Sequence, residues 1–224
     1  MSTLLPGSDA LAGRVAGLLF FREGPAGPIL RAVRRGILGG TFDPPHLAHL
    51  VAGEAAYRQL GLDVVTFVPA GAPWQKADRQ VTAAEDRWAM TRLAVEGVEY
   101  FEADDREVHR SGWTYTIDTI DSFDSTDELC LILGADAALG LPTWHRAGEV
   151  LERTHVAVAP RPGSDRAAVA AVLDATSTSW LAGPEMLVSG TVLRAMASAG
   201  SSLRFLVPEP VWRYIEEHRL YGYE

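Results

Sequence analysis

"GILGGTFDPPHLAHLVAGEAA", Gly36 to Ala56, opens as an apolar strand and closes as an alanine-rich helix. Two glycines, two prolines and two histidines lie between. Gly39 and Gly40 let backbone approach a ligand where a Cβ would clash, and Pro44 and Pro45 stiffen the turn. The spacing is neither G-x-G-x-x-G nor G-x-x-x-x-G-K-[ST], so neither the dinucleotide fingerprint nor the Walker loop applies. His46 and His49, three apart, share one face of the first helical turn. That turn also offers unpaired backbone N–H groups and the positive end of the helix dipole. Two imidazoles there can donate to phosphate oxygens, cap and pack the helix, or hold a metal as a pair, and spacing alone leaves all three open.

Outward from this stretch, apolar runs alternate with helical patterns. Strands are expected at Gly36–Leu38, Val64–Val68, Val98–Glu102, Leu129–Leu133, His155–Ala159 and Met186–Val188. Helices are expected at His46–Leu60, Ala83–Val95, Thr114–Phe123, Ala147–Glu152, Asp165–Leu173, Val192–Ala199 and Pro210–His218. Thr82 and Glu85 suggest a capping box for the second helix. Strands separated by helices imply right-handed βαβ units. The fold class is therefore α/β, a three-layer arrangement with a mostly parallel central sheet and helices on both faces. "LCLIL" (Leu129–Leu133) is apolar throughout, as a strand buried on both faces should be. Such a sheet binds ligands at the carboxyl ends of its strands, where Gly39 to His49 lie.

The 224 residues suffice for one domain with a sizeable core, 47% being apolar and 22% charged. A formal charge of −9 argues against a nucleic-acid partner, which needs a basic footprint, yet leaves room for a small anion at a local patch. Cys130, the single cysteine, reads as buried filler, and a cytoplasmic location is expected. No run approaches the roughly 20 apolar residues of a membrane helix, so no membrane partner is expected. Val15–Phe21 is short and lacks a cationic lead, unlike a secretory signal.

Three further segments carry candidate chemistry. In "VSGTVLRAM" (Val188–Met196), Ser189 and Thr191 precede a helix with Arg194 in its first turn. That set suits an anion, or it is an ordinary N-cap beside a surface arginine. In "GADAALGLPTW" (Gly134–Trp144), Asp136 could accept from ribose or base or cap the next helix, and Trp144 could stack on a planar ring or fill the core. "GAPWQK" (Gly71–Lys76) is a turn carrying an aromatic and a cation, and "WTYTIDT" (Trp113–Thr119) offers helix-start hydroxyls and N–H groups.

Taken together, these stretches resemble the bacterial nicotinate-nucleotide adenylyltransferase family, within the nucleotidyltransferase superfamily marked by [HT]-x-G-H. "GGTFDPPHLAHL" looks like its first motif, "PAGAPWQK" its substrate loop, "SGWTYTIDT" its central helix start and "GADAALGLPTW" its nicotinate-pocket segment. "APRPG" is similar to the loop after its fifth strand, "VSGTVLR" to its S-x-T-x-x-R motif, and "LRFLVPEPVWRYIEEHRLYG" to its carboxyl end. The matches run in order from Gly36 to Gly222.

The resemblance implies a Rossmann-like fold and adenylyl transfer from ATP to nicotinate mononucleotide, giving deamido-NAD and pyrophosphate in NAD biosynthesis. It implies that His46, His49 and Arg194 are catalytic. Gly39, Gly40, Thr41, Phe42, Gly134, Asp136, Arg161, Ser189 and Thr191 join them in binding ATP. Trp74, Lys76, Tyr115, Thr116, Trp144 and His145 would bind the mononucleotide, Trp144 by stacking, with the N–H groups of Thr116 and His145 on the ring carboxylate. Mg2+ would ride on ATP phosphates and water, with no protein metal ligand. Alternative acceptors are nicotinamide mononucleotide and phosphopantetheine, and a different reading is a nucleotide-binding paralogue impaired by Ala48.

Two positions depart from the family pattern. Ala48 replaces the glycine between the histidines, which should reduce activity if its methyl crowds the nucleotide. Gly190 stands where serine or alanine is usual, in a slot read as permissive. The motifs begin some thirty residues into the chain. Residues 1–34 are thus expected to form an extension ahead of a single domain at 35–224, mobile or read from an upstream mis-assigned start, or else an added helix and strand packed on that domain. Homo-oligomer formation is left open.

Overall fold

A computed structural model describes residues 32–73 and 81–222. The expected extension falls outside these residues except for its last three, and Arg34 already belongs to the first strand. Among the described residues, six strands form one sheet: β1 (Arg34–Gly40), β2 (Val64–Pro69), β3 (Phe101–Ala103), β4 (Glu128–Gly134), β5 (His155–Ala159) and β6 (Thr178–Trp180). Their order is β3-β2-β1-β4-β5-β6 and every pairing is parallel. The order reverses between β1 and β4, and a crevice opens at that switch point in a sheet of this kind.

Among the described residues, eight α-helices cover the sheet: α1 (Leu47–Leu60), α2 (Ala84–Val95), α3 (Thr116–Asp121), α4 (Ala135–Gly140), α5 (Ala147–Arg153), α6 (Arg166–Val172), α7 (Gly190–Ser198) and α8 (Glu209–Glu217). Alternation along β4 sorts the layers. Leu131 and Leu133 pack with Ile117 and Ile120 of α3, Ala138 of α4, Val150 of α5 and Val169 of α6. Cys130 and Ile132 face the other way, toward Ala56 of α1 and Val95 of α2. A third cluster joins α2, α7 and α8 through Met90, Leu193, Ala197, Val211 and Ile215. Cys130 is buried as expected, and that burial pushes its thiol up to about 12, so it stays protonated and inert. Gly36 is a packing requirement: a Cβ there would come within 2.8 Å of Leu62 and 2.9 Å of Ile132.

The three-layer parallel architecture matches the expectation, with four local corrections. The strand expected at Val98–Glu102 starts three residues later, at Phe101, after a turn. Met186–Val188 is not a strand; Leu187 is 85% exposed and the sixth strand is Thr178–Trp180. An edge strand needs one hydrogen-bonding neighbour rather than an apolar run, so "TSW" carries little sequence signal. Thr82 does not cap α2. The helix starts from Ala83 without a side-chain cap, and the Thr82 N–H instead donates to Asp43 Oδ2 at 3.4 Å. Finally, α4 and a 3-10 turn at Leu141–Thr143 occupy a stretch for which no helix is predicted.

Candidate active site

Past Gly40, six residues carry the chain from the sheet edge into α1. Phe42 sits in left-handed backbone space (φ 48°) although its ring is buried, a conformation rare for an aromatic. The ring lies edge-on to His49, centroids 4.9 Å apart. A Cβ on Gly40 would come within 3.1 Å of it, so that glycine makes room. Asp43 is buried. Its Oδ1 accepts from the Tyr221 hydroxyl at 2.8 Å, and its Oδ2 lies 3.7 Å from Arg194 Nη1.

His46 is the N-cap residue of α1 and only 2% exposed. Its ring stacks on that of His49 at 3.7 Å and 21°. The His46 backbone N–H donates to His49 Nδ1 at 3.1 Å, which requires a lone pair there, so neutral His49 carries its proton on Nε2. Burial first, and the Arg161 charge second, lower His46 from 6.5 to about 4, so the ring is neutral at pH 7. Its buried Nδ1 has no hydrogen-bond partner. A polar atom this deep without a partner is costly unless something satisfies it.

The second anchor is α7. Ser189 caps it, accepting from the Val192 N–H at 3.3 Å. Arg194 is not simply a surface arginine: Nη1 donates to the Asp43 carbonyl at 2.7 Å, and Nη2 lies 3.5 Å from Thr191 Oγ1. The start of α7 is thus tied to the first-motif loop, 151 residues away in sequence. Gly190 is not a permissive slot. A Cβ there would lie 2.7 Å from the Asp43 carbonyl oxygen and 3.1 Å from Arg194 Nη1.

A cavity of about 360 Å³ runs over the β1–β4 switch point. Its lining includes Gly39, Gly40, Thr41, Ala48, His49, Gly134, Asp136 and Arg161, and also Thr114, Thr116 and Trp144. Gly134 lets Arg161 lie across the end of β4, since a Cβ would fall 2.8 Å from Arg161 Nε. The Asp136 carboxylate is largely exposed, 3.9 Å from the same Nε. Thr116 opens α3, where first-turn N–H groups lack helical acceptors. Tyr115 and His145 meet ring to ring at 4.5 Å, beside the half-buried Trp144.

Of the residues proposed from sequence, Phe42, His46, Ser189, Thr191, Arg194, Tyr115 and His145 are not among those lining the cavity. Trp74 and Lys76 fall outside the described residues. No three His, Cys, Asp or Glu side chains gather as a metal-binding group among the described residues. No described helix is long and apolar enough to cross a membrane.

Two features of the wall are not anticipated. Leu181, Ala182, Gly183, Pro184 and Met186 border the cavity, their segment held by a paired amide contact in which Gln59 donates to the Ala182 carbonyl at 2.7 Å and accepts from its N–H at 2.8 Å. Glu107 is the other. Buried against the cavity, it accepts from the Thr119 hydroxyl, and its burial raises the carboxyl pKa. Gln59 lies 123 residues from its partner, so no local pattern marks it.

A family model described as cytidylyltransferase-like matches residues 37–196. A Dehalococcoides mccartyi protein named "Probable nicotinate-nucleotide adenylyltransferase" is 40% identical over 199 residues, covering 85% of this chain and 98% of its own length. This chain belongs to the nicotinate-nucleotide adenylyltransferase family. A Pseudomonas putida protein of the same printed name is 42% identical over 213 residues, covering 85% of this chain and 96% of its own. The fold is shared with a solved structure, the Plasmodium falciparum nicotinic acid mononucleotide adenylyltransferase complexed with NaAD. Its TM-score is 0.73 at 15% identity, over 86% of this chain and 98% of that one. Membership in the adenylyltransferase family makes the chain a nucleotidyltransferase.

Proposed function

We propose that the chain transfers the adenylyl group of ATP to nicotinate mononucleotide, forming deamido-NAD and releasing pyrophosphate. The observation that carries this reading is that one cavity is lined by His49, Arg161, Thr116 and Trp144 together. The mononucleotide phosphate oxygen attacks the α-phosphorus in line, the new P–O bond forming as the bond to pyrophosphate breaks. No protein nucleophile is needed, so positioning and charge stabilisation supply the rate. His49 and the guanidinium groups of Arg161 and Arg194 offer donors to the phosphates. His46, neutral and with an unpaired buried nitrogen, becomes more basic as negative charge arrives beside it.

Mg2+ would be carried by ATP phosphates and water, its usual manner of binding, and would neutralise charge on the departing pyrophosphate. On the acceptor side, two backbone N–H groups favour a ring carboxylate over an amide, whose own N–H would meet a donor. Each unpaired polar group costs about 1–3 kcal/mol, so a preference of roughly ten- to several-hundred-fold is expected. The test is pyrophosphate release from ATP with nicotinate mononucleotide, nicotinamide mononucleotide and phosphopantetheine in parallel. A higher kcat/KM for nicotinate mononucleotide supports the reading. Equal or reversed preference overturns the acceptor assignment, and no release with any acceptor overturns the activity.

A further inference from the structure

Arg87 lies on α2, its side chain 1% exposed, and its partners are backbone carbonyls. Nη1 donates to Thr41 O at 2.9 Å and Ala70 O at 2.5 Å, Nη2 to Gly71 O at 2.9 Å, and Nε to Thr82 O at 2.9 Å. The place of these carbonyls is informative. The parallel ladder of β1 and β2 ends at Gly40 and Pro69, with one more bond from the Ala70 N–H to Gly40 O at 2.8 Å. Thr41 and Ala70 are the next residues out, where the strands part. The guanidinium takes over as cross-link where the sheet stops, and its rigid planar fork sets the spacing.

The line continues to Thr114, another residue lining the cavity. Gly71 admits no side chain, because a Cβ would overlap the carbonyl oxygen of Glu107. Ala72 O accepts from both the N–H and the hydroxyl of Thr114, at 3.3 and 3.4 Å. Thr114 stands two residues before Thr116. One chain of contacts therefore joins the first-motif loop to the start of α3.

We propose that Arg87 is a positioning residue that holds the first-motif loop in register with the Thr114–Thr116 segment, so that the two substrates meet in line. This inference rests on the functional reading above. A guanidinium placed only to hold the fold would affect stability and leave turnover per folded molecule alone. One placed for register affects the step that needs both substrates aligned, where about 1 Å of misplacement can cost roughly 10²-fold.

Arg87→Lys keeps the charge but replaces a planar fork by a point with three donors, too few for four carbonyls. Gly71→Ala disturbs the same line while leaving the Arg87 side chain in place, and decides the matter if the lysine variant does not fold. Expected for each is a kcat at least tenfold lower per folded molecule, with binding of ATP alone and of mononucleotide alone within about threefold of wild type. The double variant should fall short of the product of the two single effects, as for residues on one network. A kcat within twofold of wild type, or loss of affinity for either substrate that accounts for the fall in rate, overturns the inference. An active wild type with insensitive variants overturns this inference alone. A wild type that turns over no acceptor overturns the functional reading and the inference with it.

Discussion

The first-motif side of the candidate site and the Trp144 side are built differently. Around the first motif nearly everything is wired. Phe42, Asp43 and His46 are buried, and Arg194 and Tyr221 reach Asp43 from elements far along the chain. Around Trp144, the Tyr115, Thr116, Trp144 and His145 side chains are half-buried or exposed, with the Tyr115–His145 ring contact and the tie from Thr114 to Ala72 among their links. A side that stabilises developing charge must be preorganised, because reorganisation at the moment of reaction costs rate. A side that selects a flat ring needs a platform and a few donors, which can stand nearer to solvent.

The sharpest test of this contrast is removal of the buried imidazole. His46→Ala should lower kcat/KM about 10²–10³-fold, by analogy with loss of one preorganised donor, and His49→Ala should also impair turnover. Circular dichroism should show both variants folded. Near-normal turnover in both would return the pair to a packing role and erase the difference between the two sides.

On the open side the effect is smaller and belongs to one substrate. Trp144→Ala should raise KM for the mononucleotide about tenfold, the loss of one good stacking contact of roughly 1.4 kcal/mol, while the Kd for ATP stays nearly unchanged. An equal loss of ATP binding would mean that the two sides are not separate.

The two departures from the family pattern probe the wired side again. Gly190→Ser should slow turnover several-fold and destabilise by about 1–3 kcal/mol, because the new Cβ must displace the Asp43 carbonyl or Arg194. Ala48→Gly, on the cavity wall, should raise kcat/KM while costing the helix roughly 0.5–1 kcal/mol. Thermal melts beside steady-state rates check both. A Gly190→Ser variant with wild-type stability and rate would show that α7 can move away from the loop freely.

A further effect is read through pH. His46 is held at about 4 in the fold against 6.5 unfolded. Below 6.5 the unfolded chain takes up a proton that the folded chain refuses until about 4. The stability from this residue is therefore complete above 6.5 and is lost as pH falls to 4, up to about 3 kcal/mol. Melting of wild type and His46→Gln between pH 7 and 4.5 checks it: wild type should lose more stability on acidification. Parallel losses would show that His46 is not a buried neutral ring in solution.

Much of this design is legible along the chain. Gly36 to Ala56 announces a strand, a tight turn and a helix start carrying two histidines, and all three are found. "LCLIL" reads as a central strand because both of its faces are buried. Legibility failed where an element depends on a neighbour instead of on its own pattern. The edge strand Thr178–Trp180 exists because β5 offers it hydrogen bonds. Thr82 carries a capping signal, but its N–H and carbonyl go to Asp43 and Arg87. Asp43, Arg87 and Gln59 look like ordinary polar residues on a turn and two helices.

Periodicity, glycine and proline placement and motif order determined the layers, the direction of the strands and the edge where the site lies, because these follow from local sterics and apolar patterning. The tertiary structure alone decided that Asp43 is a hub, that Arg87 continues the sheet beyond its last ladder pair, and that Gly190 must lack a side chain. Each depends on a distance between segments far apart in the chain, and such distances are set by packing, which no local pattern encodes.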